Sequence, residues 1–445
     1  MARLRRKACV ALFLFTLFVF GTLMGLRTLK PTEGFSDLAP GLEFMPLIGG
    51  KLDRRSAASD AAVSQGGPRN APIGDAKAAA VNSGQDKGIF YDVHIFYYMW
   101  YGHPQTDGKY LHWDHVLVPH WDPKIAASYP TGKHSPPDDI GSSFYPELGP
   151  YSSRDPEVLE SHMEQIEAAG AGVVVVSWYP PGQADDNGEP TEDIVQAVLE
   201  AAHRHGLKVA FHIQPYPGRS DQTVHENVKY IIDRYGEHGA FYRFSATSGR
   251  VLPLFYVYDS YLTPPEAWAE LLTSSGSHSL RGSAYDALFI GLLVEERHKH
   301  DLLAAGFDGM YTYFASNGFS FGSSHQNWKS VKAFCDGNGL LFVPSVGPGY
   351  IDTSVRPWNN HNTRNRINGR YYETALQAAL SVRPELVSIT SFNEWHEGTQ
   401  IERAAPKKTV TRLYLDYQPH TPELYLELTR RWAEQFNKEK EQWLM

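Results

Sequence analysis

Eight short apolar runs, each closed by polar or aromatic residues and separated by helix-forming stretches, constrain this 445-residue chain more than any other feature. They occupy 93–98, 172–178, 208–213, 252–258, 287–293, 309–314, 340–345 and 386–392. The second contains Val173-Val174-Val175-Val176 with no polar residue between. Unbroken apolar strands are what a parallel sheet needs when both of its faces are covered. Helical segments fit 156–170, 191–206, 221–235, 265–272, 296–305, 324–338 and 371–382, and a last helix fits 422–440 with Leu424, Leu426, Leu428, Trp432 and Phe436 on an apolar side. Asp155 before Pro156 is a cap followed by a first-turn proline. This alternation predicts an α/β fold, a single (β/α)8 TIM barrel spanning residues 88–445. A doubly wound open sheet is the competitor, but no glycine-rich phosphate turn follows an early strand.

In a barrel the strand ends share one face, and sites are built there. Just past the runs stand Trp100 and Tyr101, Tyr179, His212 and Tyr216, Asp259 and Tyr261, Tyr313, Arg356, then Glu394 and Glu397. The last cluster, Ser391-Phe392-Asn393-Glu394-Trp395-His396-Glu397-Gly398, is the densest. Two carboxylates three residues apart at a strand end suit glycoside hydrolysis, where one group acts as acid and the other as base or nucleophile beside an aromatic platform. Capping of the next element, or pairing with Arg403, is the plainer alternative. Asn393 and Trp395 beside the pair, and Tyr97 at the end of the first run, are candidate sugar contacts.

The other constellations point nowhere so definite. His112-x-x-His115, His120 and His396-Glu397 lack a helical metal-binding context, so neither metal nor cofactor is expected. No Gly-x-Ser-x-Gly elbow is present, and Cys335 falls mid-helix on an apolar flank, against serine or thiol catalysis. Asp185, Asp186, Asn187 and Gly188 fit a tight turn better than a calcium loop.

The N-terminus is a separate object. Arg3, Arg5, Arg6 and Lys7 precede an uncharged stretch from Ala8 to Leu26, and Arg27 and Lys30 follow. That stretch is long enough to span a bilayer, and its basic flank keeps the N-terminus cytosolic. Residues 1–7 are thus expected as a cytoplasmic tail, 8–26 as a type II signal anchor, and the Ala-, Gly-, Ser- and Pro-rich 27–87 as a flexible lumenal stem. Removing the six basic groups of residues 1–30 from the 41 Lys and Arg leaves 35 against 50 Asp and Glu, a net of −15. So acidic a body argues against nucleic-acid binding. Of the two cysteines, Cys9 lies in the apolar stretch, which leaves Cys335 alone in the body and no internal disulfide.

From about Tyr91 onward the chain resembles the vertebrate glycoprotein endo-α-1,2-mannosidase family, most closely its endomannosidase-like branch. The similarity rests on His120-Trp121-Asp122-Pro123, Phe144-Tyr145-Pro146-Glu147-Leu148-Gly149, Ser177-Trp178-Tyr179-Pro180-Pro181, Ser345-Val346-Gly347-Pro348-Gly349-Tyr350-Ile351-Asp352 and 391–400. The resemblance implies a single-pass type II Golgi membrane enzyme with a lumenal catalytic domain. Its substrates would be glucosylated high-mannose N-glycans on glycoproteins, cut at the internal α-1,2-mannosidic bond to release mannose bearing one to three glucoses. The implied route is retaining and passes through a 1,2-anhydro sugar, with Glu394 as base for the mannose 2-hydroxyl and Glu397 as acid for the leaving oxygen. That departs from the usual scheme with an enzymic nucleophile. Tyr179 matches a position near the outer glucose, and His212, Tyr258, Tyr313 and Arg356 match cleft positions. Gln214 departs from the family's Glu in a His-Ile-Glu-Pro-Tyr stretch. A catalytically weak lumenal lectin, or another retaining glycosidase or transglycosylase on the same barrel, are the alternatives.

Overall fold

The computed structural model describes residues 88–245 and 249–444. The expected tail, membrane span and stem lie outside the described residues. Among those described, no helix is long and apolar enough to cross a membrane.

The strands are β1 (Phe90–Tyr97), β2 (Ala171–Trp178), β3 (Lys208–Ile213), β4 (Arg243–Ser245), β5 (Val251–Val257), β6 (Leu288–Leu292), β7 (Gly309–Tyr311), β8 (Leu341–Val343), β9 (Ser345–Val346) and β10 (Val387–Ile389). They lie in the order β8-β7-β6-β5-β3-β2-β1-β10-β9, all neighbours on this path parallel. β8 and β9 are two halves of one stave, split at Pro344, which has no N–H to give a ladder. Its carbonyl still accepts from Ser388 N at 3.1 Å. Because β8 pairs with β7 and β9 with β10, the ring comes round through this broken stave, giving eight positions as the alternation requires. β4, which the apolar pattern does not reveal, is a short antiparallel flap on β5.

The helices are α1 (Pro104–Asp107), α2 (Pro123–Ala126), α3 (Pro156–Ala169), α4 (Val195–Arg204), α5 (Asp221–Tyr235), α6 (Pro265–Leu272), α7 (His298–Ala305), α8 (Trp328–Gly337), α9 (Arg370–Ser381) and α10 (Leu424–Leu444). In α3, Asp155 accepts from Glu157 N, Pro156 occupies the first turn, and Gly170 ends the helix at φ 78°. A left-handed residue in that place favours glycine. Cys335 is buried near the end of α8, and burial pushes its thiol up to about 12. α10 returns to the start of the body: Arg430 reaches the carbonyls of Glu167, Ala168 and Gly88.

The two faces of the staves differ in chemistry. Phe211, Phe255 and Phe289 stand in register on β3, β5 and β6, with ring spacings of 6.3 and 5.7 Å, and Phe211 meets Tyr235 of α5. They face the helices. Their neighbours His212 and Tyr256 face inward, as strand alternation demands. There His94 Nδ1 meets the Tyr256 hydroxyl at 2.7 Å, His212 Nε2 meets Tyr311 at 2.7 Å, and Phe96 packs on His212. Burial lowers both imidazoles to about 3, so the barrel interior is polar but uncharged.

Candidate active site

The run expected at 386–392 pairs as a strand only over Val387–Ile389, and the residues beyond it leave the ladder to build a rim turn. The turn is closed by its own backbone: Ser391 N donates to Thr399 O at 2.9 Å, Ile401 N to Ser391 O at 3.0 Å, and Ser391 Oγ meets Thr399 Oγ1. Phe392 N bonds Phe96 O, and Asn393 clamps the end of β1 by accepting from Tyr98 N at 2.8 Å and donating to Tyr98 O at 2.9 Å. Gly398 has φ 59°, and a Cβ there would stand 2.5 Å from Ile351 Cγ2. No other residue satisfies both the dihedral and the space.

Glu394 and Glu397 ride on this frame. Glu394 is 6 % exposed, and Oε1 accepts from His396 N at 3.0 Å. Burial, then the charge of Glu397, pushes its carboxyl well above the usual range. Burial likewise raises Glu397, to about 7, against the opposing pull of Arg356 at 3.8 Å. Arg356 also holds the buried Asp352 at 3.2 Å, which accepts from Tyr350 and Asn359. Burial and the neighbouring like charge both favour the protonated form of Glu394. The guanidinium of Arg356 favours the charge on Glu397. A sugar hydroxyl donating to Glu394 would move the charge there and leave Glu397 with the proton.

The wall opposite is phenolic. Tyr98, Tyr258 and Tyr313 sit where the charges of this pair reach them, and burial first and Glu397 among the charges raise all three hydroxyls. They stay protonated as donors. Tyr98 bonds Tyr313, whose backbone, at φ 52°, is braced by Ser345 Oγ and by Thr390. His212 packs 5.3 Å from Tyr258 and 5.7 Å from Tyr313, and its Nδ1 lies 3.2 Å from Gln214 Nε2. Arg219 fixes the end of β5 through the carbonyls of Tyr258 and Asp259. Tyr179 follows β2; burial, then the charges of Asp185 and Asp186, raise its hydroxyl.

Three sequence expectations need correction. Tyr97 does not line the cleft: its ring lies between β1 and α3, with its hydroxyl 2.8 Å from His162 Nδ1, and the inward residue is Tyr98. Trp395 is no sugar platform, because it is fully buried with Nε1 bonded to Glu402 at 3.0 Å and Tyr151 at 3.1 Å. Asn393 has no free amide atom for a sugar, both being committed to Tyr98 and Tyr151. Alternation from Phe96 would have selected Tyr98. Asp352 and Tyr350 offered no periodic signal at all.

Three of the histidines left open by the sequence, His112, His115 and His396, gather here too. His396 Nδ1 meets Gly141 O at 2.6 Å, His112 Nδ1 meets His396 Nε2 at 3.3 Å, and Trp100 stacks on His112 at 4.2 Å. His112 Nε2 faces Asp185 at 3.3 Å, and Asn187 reaches His115. Asp185 also accepts from Asn187 N at 3.2 Å, making 185–188 the expected tight turn. These contacts tie the loop after β2 to the loop after β1. No group of three or more His, Cys, Asp or Glu among the described residues is arranged to hold a metal.

A family model, glycosyl hydrolase family 99, matches residues 89–438. A glycoprotein endo-alpha-1,2-mannosidase-like protein of Danio rerio is 74% identical over 445 residues, with 100% of each chain covered. The glycoprotein endo-alpha-1,2-mannosidase of Mus musculus is 57% identical over 450 residues, covering 99% of this chain and 97% of its own. Among solved structures, the GH99 endo-alpha-mannosidase of Bacteroides thetaiotaomicron superposes with a TM-score of 0.73 at 45% identity, covering 79% of this chain and 98% of that one. With a pair of carboxyls at the mouth of a parallel barrel and these relatives, the chain is a glycoside hydrolase and belongs to glycosyl hydrolase family 99.

Proposed function

We propose that this protein is a retaining endo-α-1,2-mannosidase that cuts the internal α-1,2-mannosidic bond of glucosylated high-mannose N-glycans and releases mannose carrying one to three glucoses. The observation that carries the proposal is the carboxyl pair at one strand end, Glu394 buried and Glu397 half-buried with Arg356 3.8 Å away, faced by phenol donors. Relatives named as endo-α-1,2-mannosidases support the linkage and the endo mode. Glu394 takes the proton of the mannose 2-hydroxyl as that oxygen attacks C1, and Glu397 protonates the departing glycosidic oxygen. Water then opens the 1,2-anhydro sugar with the roles reversed, which gives net retention. The protein needs no carboxylate against C1, which agrees with both acids leaving one turn. The basic and apolar N-terminus supports a single-pass type II anchor in the Golgi membrane, with the barrel lumenal.

Full-length protein in detergent, incubated with a monoglucosylated high-mannose glycan, should release a glucosyl-mannose disaccharide identified by mass. Release of glucose or mannose alone would overturn the endo assignment. Gln214 favours one second reading, a glycan-binding protein of low turnover, because a neutral amide replaces a carboxylate beside His212. Tight glycan binding without product under the same conditions would select it.

A further inference from the structure

Trp121 is the only exposed tryptophan among the described residues, at 58%. It is not loose. One face of its indole stacks on His120 at 3.8 Å, and Trp358 braces it edge-on at 5.2 Å and 84°. Asp122 N bonds His120 Nδ1 at 3.0 Å, and the Asp122 side chain caps α2. The second face is left to solvent. A rigid apolar plane with one free face is what the C–H side of a pyranose ring packs against. The platform is also joined to the catalytic wall. Trp358 Nε1 donates to Val118 O at 2.9 Å, Val118 N donates to Val355 O at 2.8 Å, and the next residue, Arg356, holds Glu397.

We propose that Trp121 is a stacking site for a mannose on the leaving-group side of the cleaved bond, beyond the sugars that touch the carboxyl pair. The proposal rests on the endomannosidase reading, in which Glu397 delivers its proton on that side. An endo-acting enzyme has a large leaving group, and a fixed indole outside the catalytic pocket would draw affinity from it.

Kinetics on two substrates test this with full-length protein in detergent. One is a short glucosyl-mannosyl-mannoside that ends with the sugar next to the cleaved bond; the other is the complete glucosylated high-mannose glycan. Trp121→Ala should cut kcat/KM for the complete glycan about tenfold, carried by KM, while the short substrate is unaffected. Trp121→Phe should recover most of the loss. Equal losses on both substrates, or none on the complete glycan, would overturn the site. A loss seen only with glycoprotein substrate and not with free glycan would mean that the platform meets polypeptide, which also overturns it. If the wild type cuts neither substrate, the endomannosidase reading fails separately. Calorimetric titration with free high-mannose glycan then still reads the platform: binding about tenfold weaker in Trp121→Ala sustains it, and unchanged binding refutes it.

Discussion

Two carboxylate sites lie within eight residues of each other on one segment, and they could hardly be handled more differently. Glu402 is 1% exposed, and both its oxygens are used: Oε1 lies 3.1 Å from His162 Nε2, while Oε2 accepts from Tyr151 at 2.8 Å and Trp395 at 3.0 Å. Glu394 is about as buried, yet its side chain has one backbone donor and a second acid for company. A carboxylate whose two oxygens are both hydrogen-bonded holds structure in place. One held under a like charge stores an unfavourable state that substrate can relieve. The first site also supports the second, since Tyr151 and Trp395 anchor the turn that carries Glu394 and Glu397.

Neutralising each site in turn gives the largest test of this contrast. Glu397→Gln should lower kcat by about 10²–10⁴, the usual loss of a general acid, and leave the fold intact. Glu402→Gln should show the opposite pattern, since an amide cannot accept from all the partners of Glu402 and a buried group left unsatisfied costs about 1–3 kcal/mol. The folded enzyme that remains should keep kcat within tenfold. Thermal unfolding and initial rates on both variants decide it. A Glu402→Gln enzyme with wild-type stability and no activity would erase the distinction.

Stability as a function of pH sharpens the comparison at a smaller scale. Glu397 is raised from 4.5 to about 7 in the folded protein, so the native state holds that proton more tightly than the unfolded chain. Stability from this group is therefore full below pH 4.5 and falls as pH rises to about 7. Glu397→Gln, which cannot ionise, escapes that loss and should exceed wild type by up to about 3 kcal/mol above pH 8, with no gain below pH 4.5. Urea unfolding at the two extremes measures it. A constant difference across the range would mean that Glu397 is not held under strain.

The eight staves were legible because parallel strands buried on both faces must be continuously apolar, as 173–176 are, and no other element imposes that on so few residues. The carboxyl pair Glu394 and Glu397 stood out because acids at a strand end have few structural uses. Glu402 was not, since its partners His162, Tyr151 and Trp395 are brought to it from elsewhere by the barrel's closure and share no spacing with it. The split stave at Pro344 and the flap β4 were hidden for the same reason: pairing with a distant strand decides them. Trp395 misled because an indole beside two acids looks the same in sequence whether it faces sugar or core.

The smallest effect isolates a single step of strand alternation. Tyr97 and Tyr98 are adjacent and both buried, but the Tyr97 hydroxyl bonds His162, on the Glu402 side, whereas the Tyr98 hydroxyl bonds Tyr313 beside the acids. Removing the first hydroxyl leaves a buried imidazole nitrogen without its partner, so Tyr97→Phe should cost about 1–2 kcal/mol of stability. Because no atom of it reaches the cleft, kcat/KM should stay within twofold of wild type. Tyr98→Phe removes a donor from the cleft wall while its backbone continues to clamp Asn393, so kcat/KM should fall about tenfold with the turn still in place. The pair is read by the same two measurements, unfolding and initial rate on one glycan. Equal catalytic losses from both variants would mean that the inner and outer faces of β1 do not divide the work between them, and that the buried layer around Glu402 takes part in the chemistry.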